Sequence, residues 1–372
     1  MNKKFLILGG YGNTGRLIAE LLLKETDVHL VLAGRNGQKA EQLAEALNQK
    51  FHANRVSALM LDANNFESLR VAFQTVNFVI VASSTIDLVQ NVSRAAIDAR
   101  IDYLDTQLST EAKLSTLRSL QVEMEKADCC FITDGGFHPG VPAALVRYAA
   151  TFFDQLEQAT VASLIKFDWN AYSFSDATVA EMIEEFKHFR PIAFQHGEWK
   201  KFSWKDYRSF DFGSHWGKKY CVPMMMEEMR ELPGMFPSLK ETGFFVAGFH
   251  WFTDYFIMPL VMMALKVAPQ KAIKPSAKIF EWSLKAFSKP PFNTILLLEA
   301  SGIKNDKPMH LRISLSHEDG YLLTAAPVVA CLLKYLKSTI RQPGLWFQAN
   351  IVEPKEFLED MKRMGIQVIS SH

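Results

Sequence analysis

The sequence is poor in several features that would point to particular protein classes. Only four of its 372 residues are cysteine, and they show no C-x-x-C spacing: Cys129, Cys130, Cys221 and Cys331. This low content argues against a disulfide-rich secreted scaffold and favours a reduced, cytoplasmic location. The formal net charge is +1, from 41 basic and 40 acidic residues. The chain therefore has no excess of positive charge that would bind nucleic acid, and we expect no nucleic-acid partner.

Three catalytic signatures are also missing. The ten histidines include no H-x-x-x-H pair, so no metal site is predicted. A G-x-S-x-G motif is absent, which leaves a serine hydrolase without support. Tyr103, Tyr148 and Tyr172 are not followed by lysine four places later, so the Tyr-x-x-x-Lys pair of a short-chain dehydrogenase is absent as well.

The amino terminus carries a glycine-rich turn. A short apolar run at 5–8 leads into the spacing G-x-G-x-x-G, and a helical pattern at 16–24 follows at once. We expect Gly10 to allow the tight turn, Gly12 to let a pyrophosphate approach the backbone, and Gly15 to let the helix pack on the sheet. The anion would then bind the free N–H groups at the start of the helix. The predicted cofactor-binding residues of this turn are Gly10, Tyr11, Gly12, Asn13, Thr14 and Gly15.

The next strand pattern, 28–33, ends where a dinucleotide-binding domain meets the adenosine ribose. An acidic residue there would bind the 2′-hydroxyl of NAD. This chain instead has Arg35 and Asn36, with Lys39 one turn later. A guanidinium suits a 2′-phosphate because its planar fork of donors matches the oxygens. The cofactor is therefore predicted to be NADP rather than NAD, the alternative being that Arg35 is an ordinary surface arginine.

Strand and helix patterns alternate through the first 140 residues. Strands are predicted at 56–61, 78–82, 101–106 and 129–133, and helices at 66–75, 88–99 and 110–126. This alternation is typical of an α/β fold with a doubly wound, Rossmann-type parallel sheet. Ligands bind such sheets at the carboxyl ends of the strands. The predicted contacts there are Asp62, Ala82, Ser83 and Ser84.

Four patches, in register, carry a family resemblance. They are GGYGNTG at 9–15, AGR at 33–35, IDYLDT at 101–106 and GGFHPGVP at 135–142. With them, the chain resembles the saccharopine dehydrogenase-like family of NADP-binding oxidoreductases. The resemblance implies hydride transfer to or from an imine, a secondary amine or a carbonyl substrate. Two positions depart from the family pattern: His138 replaces a common Asp, and the segment 84–86 replaces a Pro-Phe-like turn.

The strand–helix rhythm stops near residue 154. We expect a dinucleotide-binding domain of residues 1–153 with 325–372, and an α+β substrate and dimerisation domain of residues 154–324 with a mixed or antiparallel sheet. Strand patterns lie at 159–167, 294–302 and 310–317, and helical patterns at 177–187, 327–336 and 354–364. The second domain is rich in aromatic residues and methionine, which favours an apolar small-molecule substrate.

The apolar segment 244–268 is long enough to span a bilayer. It contains Asp254 near its centre, however, and a span would separate strands that should share one sheet. The favoured interpretation is that this segment belongs to the hydrophobic core of the protein. The alternatives are a contact in a homodimer, and an apolar surface that rests on a membrane or holds an apolar substrate.

In a dehydrogenase of this kind the cofactor performs the hydride transfer, and the protein manages one proton. The candidate proton carriers are Asp105, His138 and Tyr172; we expect His138 to titrate near neutral pH. Structural alternatives are that Asp105 caps a helix and that His138 holds its loop. A second functional hypothesis is a protein that binds NADP without turnover, as a scaffold or sensor associated with a membrane.

Overall fold

The computed structural model describes residues 3–172, 179, 182, 183, 186, 189–203 and 206–371. The chain forms two compact units. One consists of Met1–Ala144 and Tyr321–Met364, and the other of Leu145–Gly320 and Gly365–His372. These bounds differ from the predicted division in two main places: residues 145–153 belong with the second unit, and so do residues 365–372, because the last strand pairs there.

The first unit contains a seven-stranded parallel sheet, in the order β15-β6-β5-β4-β1-β2-β3. Its strands are β1 (Lys4–Leu8), β2 (His29–Gly34), β3 (Val56–Met60), β4 (Phe78–Val81), β5 (Asp102–Asp105), β6 (Cys130–Thr133) and β15 (Gly344–Phe347). Its helices are α1 (Asn13–Glu25), α2 (Gly37–Lys50), α3 (Phe66–Phe73), α4 (Val89–Asp98), α5 (Glu111–Ser119) and α6 (Gln121–Lys126), followed later by α11 (Gly320–Leu336), α12 (Gln348–Ile351) and α13 (Pro354–Arg363). The predicted α/β fold class is confirmed.

The central strands of this sheet are buried on both faces. Every residue of β4 is buried, as is every residue of β5 and β6. All four residues of β4 are also apolar, as expected for a parallel strand that helices cover on both faces. Two details differ from the predictions. The helix predicted at 110–126 is divided into α5 and α6 at Leu120, and β15 was not predicted as a strand.

The second unit contains a nine-stranded sheet whose main path is β10-β11-β12-β7-β13-β14-β16. Its strands are β7 (Gln155–Lys166), β8 (Ile192–Gln195), β9 (Glu198–Lys201), β10 (Arg208–Asp211), β11 (Lys218–Met224), β12 (Glu241–Ala247), β13 (Asn293–Lys304), β14 (Lys307–His317) and β16 (Gln367–Ser371). The pairing of β12 with β7 is parallel, while the other neighbours on the path are antiparallel. The predicted mixed sheet is therefore confirmed.

Helices of the second unit include α7 (Pro142–Ala150), α8 (Leu232–Met235), α9 (Met258–Val267) and α10 (Ile273–Ala286). Although α7 begins at Pro142, its larger part lies beyond the boundary of the first unit. The helix predicted at 177–187 lies largely outside the described residues. The helix predicted at 327–336 begins earlier, at Gly320, and contains Pro327 in its interior.

The apolar segment 244–268 is not one helix. It starts within β12, continues through a π-helical turn at Thr253–Ile257, and ends in α9. In the part of the chain that the structure describes, no helix combines the length and the hydropathy needed to cross a membrane.

Candidate active site

The glycine turn joins β1 to α1 with very little space for side chains. Gly9 has a φ of +82°, a left-handed conformation that glycine adopts at low cost, and its N–H donates to the Ala33 carbonyl at 2.8 Å. Gly9 therefore has the left-handed conformation of the turn, and the predicted turn residue Gly10 follows it, with its N–H donated to the same Ala33 carbonyl at 3.2 Å. A Cβ at Gly10 would lie 2.9 Å from the Ile7 carbonyl oxygen, so this glycine allows close packing.

Gly15 packs the start of α1 directly on the turn. A Cβ added there would overlap the carbonyl oxygen of Gly9, with no flexible side chain to give way. Any larger residue would push the helix away from the strand. The structure thus gives Gly15 the packing role that its place in the motif predicted.

The amino-terminal end of α1 offers backbone donors. Gly12 occupies the capping position and makes no side-chain cap, and the first turn contains no acidic residue. The first N–H groups of a helix have no acceptor within the helix, and the helix dipole adds partial positive charge at this end. The predicted residues Asn13, Thr14 and Gly15 supply these donors, and a pyrophosphate is the kind of anion that such an end binds.

The end of β2 is shaped by Tyr11. Its ring lies against Gly34, where a Cβ would come within 2.5 Å of the ring, and its hydroxyl accepts the Asn36 N–H at 3.0 Å. Arg35 follows and is exposed. It makes no ion pair within 4.0 Å among the residues that the structure describes, so its guanidinium is available to a ligand.

Two predicted neighbours of Arg35 have local structural roles. The Asn36 side chain accepts the Lys39 N–H at 2.9 Å and thereby caps α2. The pKa of Asp62 is lowered, mainly by hydrogen bonds from the Asn64 backbone and side chain, with a smaller contribution from the charge of Arg35. Asp62 and Arg35 therefore lie near each other at the carboxyl ends of β3 and β2.

The end of β4 meets the glycine turn. A Cβ at Gly9 would lie 2.7 Å from the Ala82 carbonyl oxygen and 2.8 Å from the Ser83 Cβ. Ser83 is held from the other side by Gln107, whose Nε2 donates to the Ser83 carbonyl at 2.9 Å. The predicted residues Ala82 and Ser83 thus stand beside the phosphate turn, and Ser84 is exposed next to them.

A buried charge cluster lies where β5 and β6 end. The Lys113 ammonium is fully buried and contacts Asp105 Oδ1 at 2.6 Å and Asp134 Oδ1 at 3.1 Å. It also donates to the Gln107 carbonyl, while Ser109 Oγ donates to Asp134 Oδ2. The cluster fixes the two loops that follow β5 and β6, because both carboxylates share one cation from α5.

Charge compensation determines the protonation of this cluster. Burial alone would lower the pKa of Lys113, but the opposing charges of Asp105 and Asp134 outweigh it and raise that pKa. Burial raises the pKa of Asp134, and Lys113 partly offsets the rise. Both oxygens of Asp105 are already used, since Oδ2 accepts the Thr133 hydroxyl at 2.8 Å.

The candidate Asp105 is therefore placed in the interior. Its carboxylate is 0% exposed, and Oδ1 also accepts the Gln107 N–H at 3.1 Å. A group so enclosed suits a positioning role better than direct proton exchange with a substrate. Lys113 itself was missed by sequence reasoning, because a lysine near the start of an amphipathic helix normally points to solvent.

The loop after β6 is held by a second residue that the sequence did not point to. Gln348, fully buried at the start of α12, donates from Nε2 to the carbonyls of Gly136 and Gly140, at 3.0 and 3.1 Å. A Cβ at Gly140 would lie 2.6 Å from that nitrogen, so the loop and the amide fit closely. No local pattern could have indicated a partner more than 200 residues away.

His138 lies in this loop, with its ring centroid 3.8 Å from that of Phe137. The residue as a whole is partly exposed, but its Nε2 atom is buried. Desolvation lowers the pKa of the imidazole to about 4. The expectation that His138 titrates near neutral pH was therefore wrong, because burial disfavours the charged ring. At physiological pH the imidazole is therefore neutral, and a proton that it accepts is held only weakly.

Tyr172 belongs to the second unit. It is partly buried and stacks on Phe167 with ring centroids 5.1 Å apart. The structure thus gathers Asp105, His138 and the predicted cofactor contacts in the first unit, whereas Tyr172 lies in the other unit.

The chain is similar to known proteins in part of its sequence and in its fold. Residues 5–129 match the family described as the saccharopine dehydrogenase NADP binding domain. Among solved structures, apo histidine-tagged saccharopine dehydrogenase (L-Glu forming) from Saccharomyces cerevisiae is similar over 100% of both chains, with a TM-score of 0.68 and 13% identity. A mutant of meso-DAPDH with DAP, from Clostridium tetani E88, is 13% identical with a TM-score of 0.48 and covers 97% of this chain and 96% of its own. No curated protein matches the sequence.

These findings confirm the predicted resemblance and the predicted fold. The family match lies entirely within the first unit and includes the glycine turn, Arg35 and β5. At 13% identity, the similarity to the yeast structure concerns the fold alone.

Proposed function

We propose that this chain is an NADP-dependent oxidoreductase. Its residues 5–129 match the saccharopine dehydrogenase NADP binding domain, and its fold is similar to that of a saccharopine dehydrogenase. The observation that carries the proposal is the turn from Gly9 to Gly15. Added Cβ atoms would clash at Gly9, Gly10 and Gly15 of this turn. The first N–H groups of helix α1, which follows, have no capping side chain. Such a turn leaves room for a pyrophosphate against the backbone.

The choice of NADP rests on the end of β2. Arg35 is exposed there and pairs with no carboxylate within 4.0 Å in the described part of the chain. Its guanidinium would bind the 2′-phosphate, and Lys39 one turn into α2 would add a second positive charge. Tyr11, held by Asn36, would form the wall of the same subsite.

When bound, the nicotinamide supplies or accepts the hydride. The end of β4, at Ala82–Ser84, would contact the nicotinamide half, and Gln107 holds that backbone in place. His138 is the proposed proton carrier. Its neutral imidazole accepts a proton from the substrate nitrogen or oxygen during oxidation and returns it during reduction.

The proposed substrate is an imine, a secondary amine or a carbonyl compound with apolar substituents. The apolar character rests on the sequence alone, which is rich in aromatic residues and methionine in its second half.

Calorimetry with NADPH and NADH tests the cofactor assignment. We expect the wild-type chain to bind NADPH more tightly, and Arg35→Asp to lose that preference. Arg118→Asp, an exposed arginine on α5, is the matched control and should bind as the wild type does. Absence of binding to either nucleotide would refute the whole proposal, whereas unchanged NADPH affinity in Arg35→Asp would refute only the role of Arg35.

Turnover is a separate question and is measured with NADPH against a panel of imines and ketones, and with NADP against secondary amines. Oxidation or reduction of the cofactor supports the enzyme. Tight binding without turnover across the panel would favour the scaffold or sensor hypothesis instead.

A further inference from the structure

The solvent-facing side of α9 and the π-helical turn before it is apolar. Trp251, Tyr255 and Val267 are 60%, 75% and 80% exposed. Other exposed apolar residues complete the surface: Phe256, Pro259, Leu260, Met262 and Met263. On this outer side, from Tyr255 to Val267, the only charged residue is Lys266.

The inner side of α9 and of the turn before it already packs in a hydrophobic core. Ile257, Val261 and Leu265 recur every four residues and pack with Phe280 and Leu284 of α10. A surface helix normally buries one apolar stripe and presents polar residues on its other side. Here both sides are apolar, so the outer side is suited to a partner that is not water.

Positively charged residues lie on the neighbouring helix α10 and in the turn that leads to it. Lys271 lies in the turn between the two helices, and α10 presents Lys274, Lys278 and Trp282 at successive fourth positions, all of them exposed. The nearby acids are fewer than these lysines. Glu281 pairs with Lys285 at 2.7 Å, and Asp254 accepts the Phe249 N–H at 3.0 Å.

We propose that the surface formed by residues 251–267 and the exposed side of α10, the helical hairpin surface, docks on a membrane that contains anionic lipid. Aromatic and aliphatic side chains with lysines at their rim are the composition of helices that lie in the membrane interface. Tryptophan and tyrosine favour the headgroup region, and each lysine near an anionic surface adds attraction.

A second copy of this chain is the competing occupant. A twofold dimer would place the same surface against itself, and the lysines of one copy would find few acidic partners on the other, because this surface has more lysines than acids. An excess of unpaired positive charge opposes such association, whereas an anionic bilayer is complementary to the same residues. The charge pattern therefore favours the membrane. This inference is independent of the proposed function, since no cofactor residue takes part.

Vesicle co-sedimentation tests the proposal. The probes are vesicles of phosphatidylcholine alone and vesicles of equal parts phosphatidylcholine and phosphatidylglycerol. We expect the full chain to sediment with the anionic vesicles, to remain in solution with the neutral ones, and to be released by high salt. Failure to sediment with anionic vesicles at low salt would overturn the proposal.

Two sets of variants locate the surface. The combination Phe256→Ser, Leu260→Ser and Met263→Ser should abolish sedimentation, because it removes apolar area without touching the buried core. The combination Lys274→Glu and Lys278→Glu should weaken partitioning by about 30-fold or more, from the loss of two lysine contacts. Tyr220→Ser and Lys307→Glu, exposed elsewhere in the second unit, are the matched controls and should bind as the wild type does.

Tryptophan fluorescence gives an independent readout of depth. Brominated phosphatidylcholine mixed into the anionic vesicles should quench the wild type, and Trp251→Phe with Trp282→Phe should remove most of that quenching. Equal binding by the serine variant and the wild type would contradict the proposal. The proposal would also be contradicted if the wild type bound no vesicles and formed a dimer that the serine variant converts to a monomer. That result would assign the surface to self-association.

Discussion

The Nζ of Lys113 lies 2.6 Å from Oδ1 of Asp105, and neither side chain has any contact with solvent. Asp134 approaches the same ammonium at 3.1 Å. A buried pair of this kind adds little net stability compared with an apolar core, but loss of one partner leaves an uncompensated charge. The cluster therefore makes the loops after β5 and β6 depend on α5.

Replacement of Lys113 by methionine should destabilise the protein by about 3–5 kcal/mol, because Asp105 and Asp134 would remain buried without a cation. Urea unfolding followed by circular dichroism measures the loss. Lys126→Met, at an exposed position on α6, is the control and should change stability little. Adding Asp105→Asn and Asp134→Asn to the Lys113 variant should recover much of the loss; if it does not, charge imbalance is not the cause.

Sequence reasoning could find the parallel strands because their cause is local. The run from Phe78 to Val81 is apolar at every position, as a strand covered on both faces must be. The four-residue strand β15 has no such signal. It follows Pro343 and begins with Gly344, and only its pairing with β6 makes it a strand.

The candidate site was predictable to a similar degree. The glycine turn and Arg35 are readable because each role depends on residues close by in the chain. Lys113 and Gln348 are not readable, because their partners come from other strands and loops. The pKa of His138 was misjudged for the same reason, since the desolvation of its ring depends on packing.

Replacement of Gly15 by alanine should destabilise the first unit by about 1–3 kcal/mol and weaken NADPH binding, because the new Cβ would overlap the Gly9 carbonyl oxygen. Thermal unfolding and calorimetric titration measure the two effects. Gly234→Ala is a matched control, since nothing lies within 4 Å of a Cβ there and the site is helical. It should leave stability unchanged or slightly higher. If Gly15→Ala has the stability and the NADPH affinity of the wild type, the backbone of the turn can shift to accommodate a Cβ, and the prediction is wrong.

The stability of the protein should depend on pH through His138. The folded state lowers the pKa of its imidazole from 6.5 to about 4, so the unfolded chain binds more protons between these values. The contribution of His138 to the free energy of unfolding is therefore fully present above about pH 6.5 and is lost as the pH falls toward 4. Urea unfolding at several pH values should therefore show a smaller loss on acidification for His138→Gln than for the wild type. His310→Gln, an exposed histidine on β14, should follow the wild type. Parallel curves for all three proteins would contradict the assignment.

Replacement of Gln348 by leucine should loosen the loop that carries His138. The variant leaves the carbonyls of Gly136 and Gly140 without their buried donor, at a cost of about 1–3 kcal/mol for each group that stays unsatisfied. Hydrogen exchange measured by mass spectrometry should then rise in peptides covering residues 134–141 more than in those covering β1, since the defect is local. Gln342→Leu, at an exposed position in the same segment, should leave exchange unchanged. If both variants exchange like the wild type, the amide does not hold the loop, and the position of His138 must depend on its other neighbours.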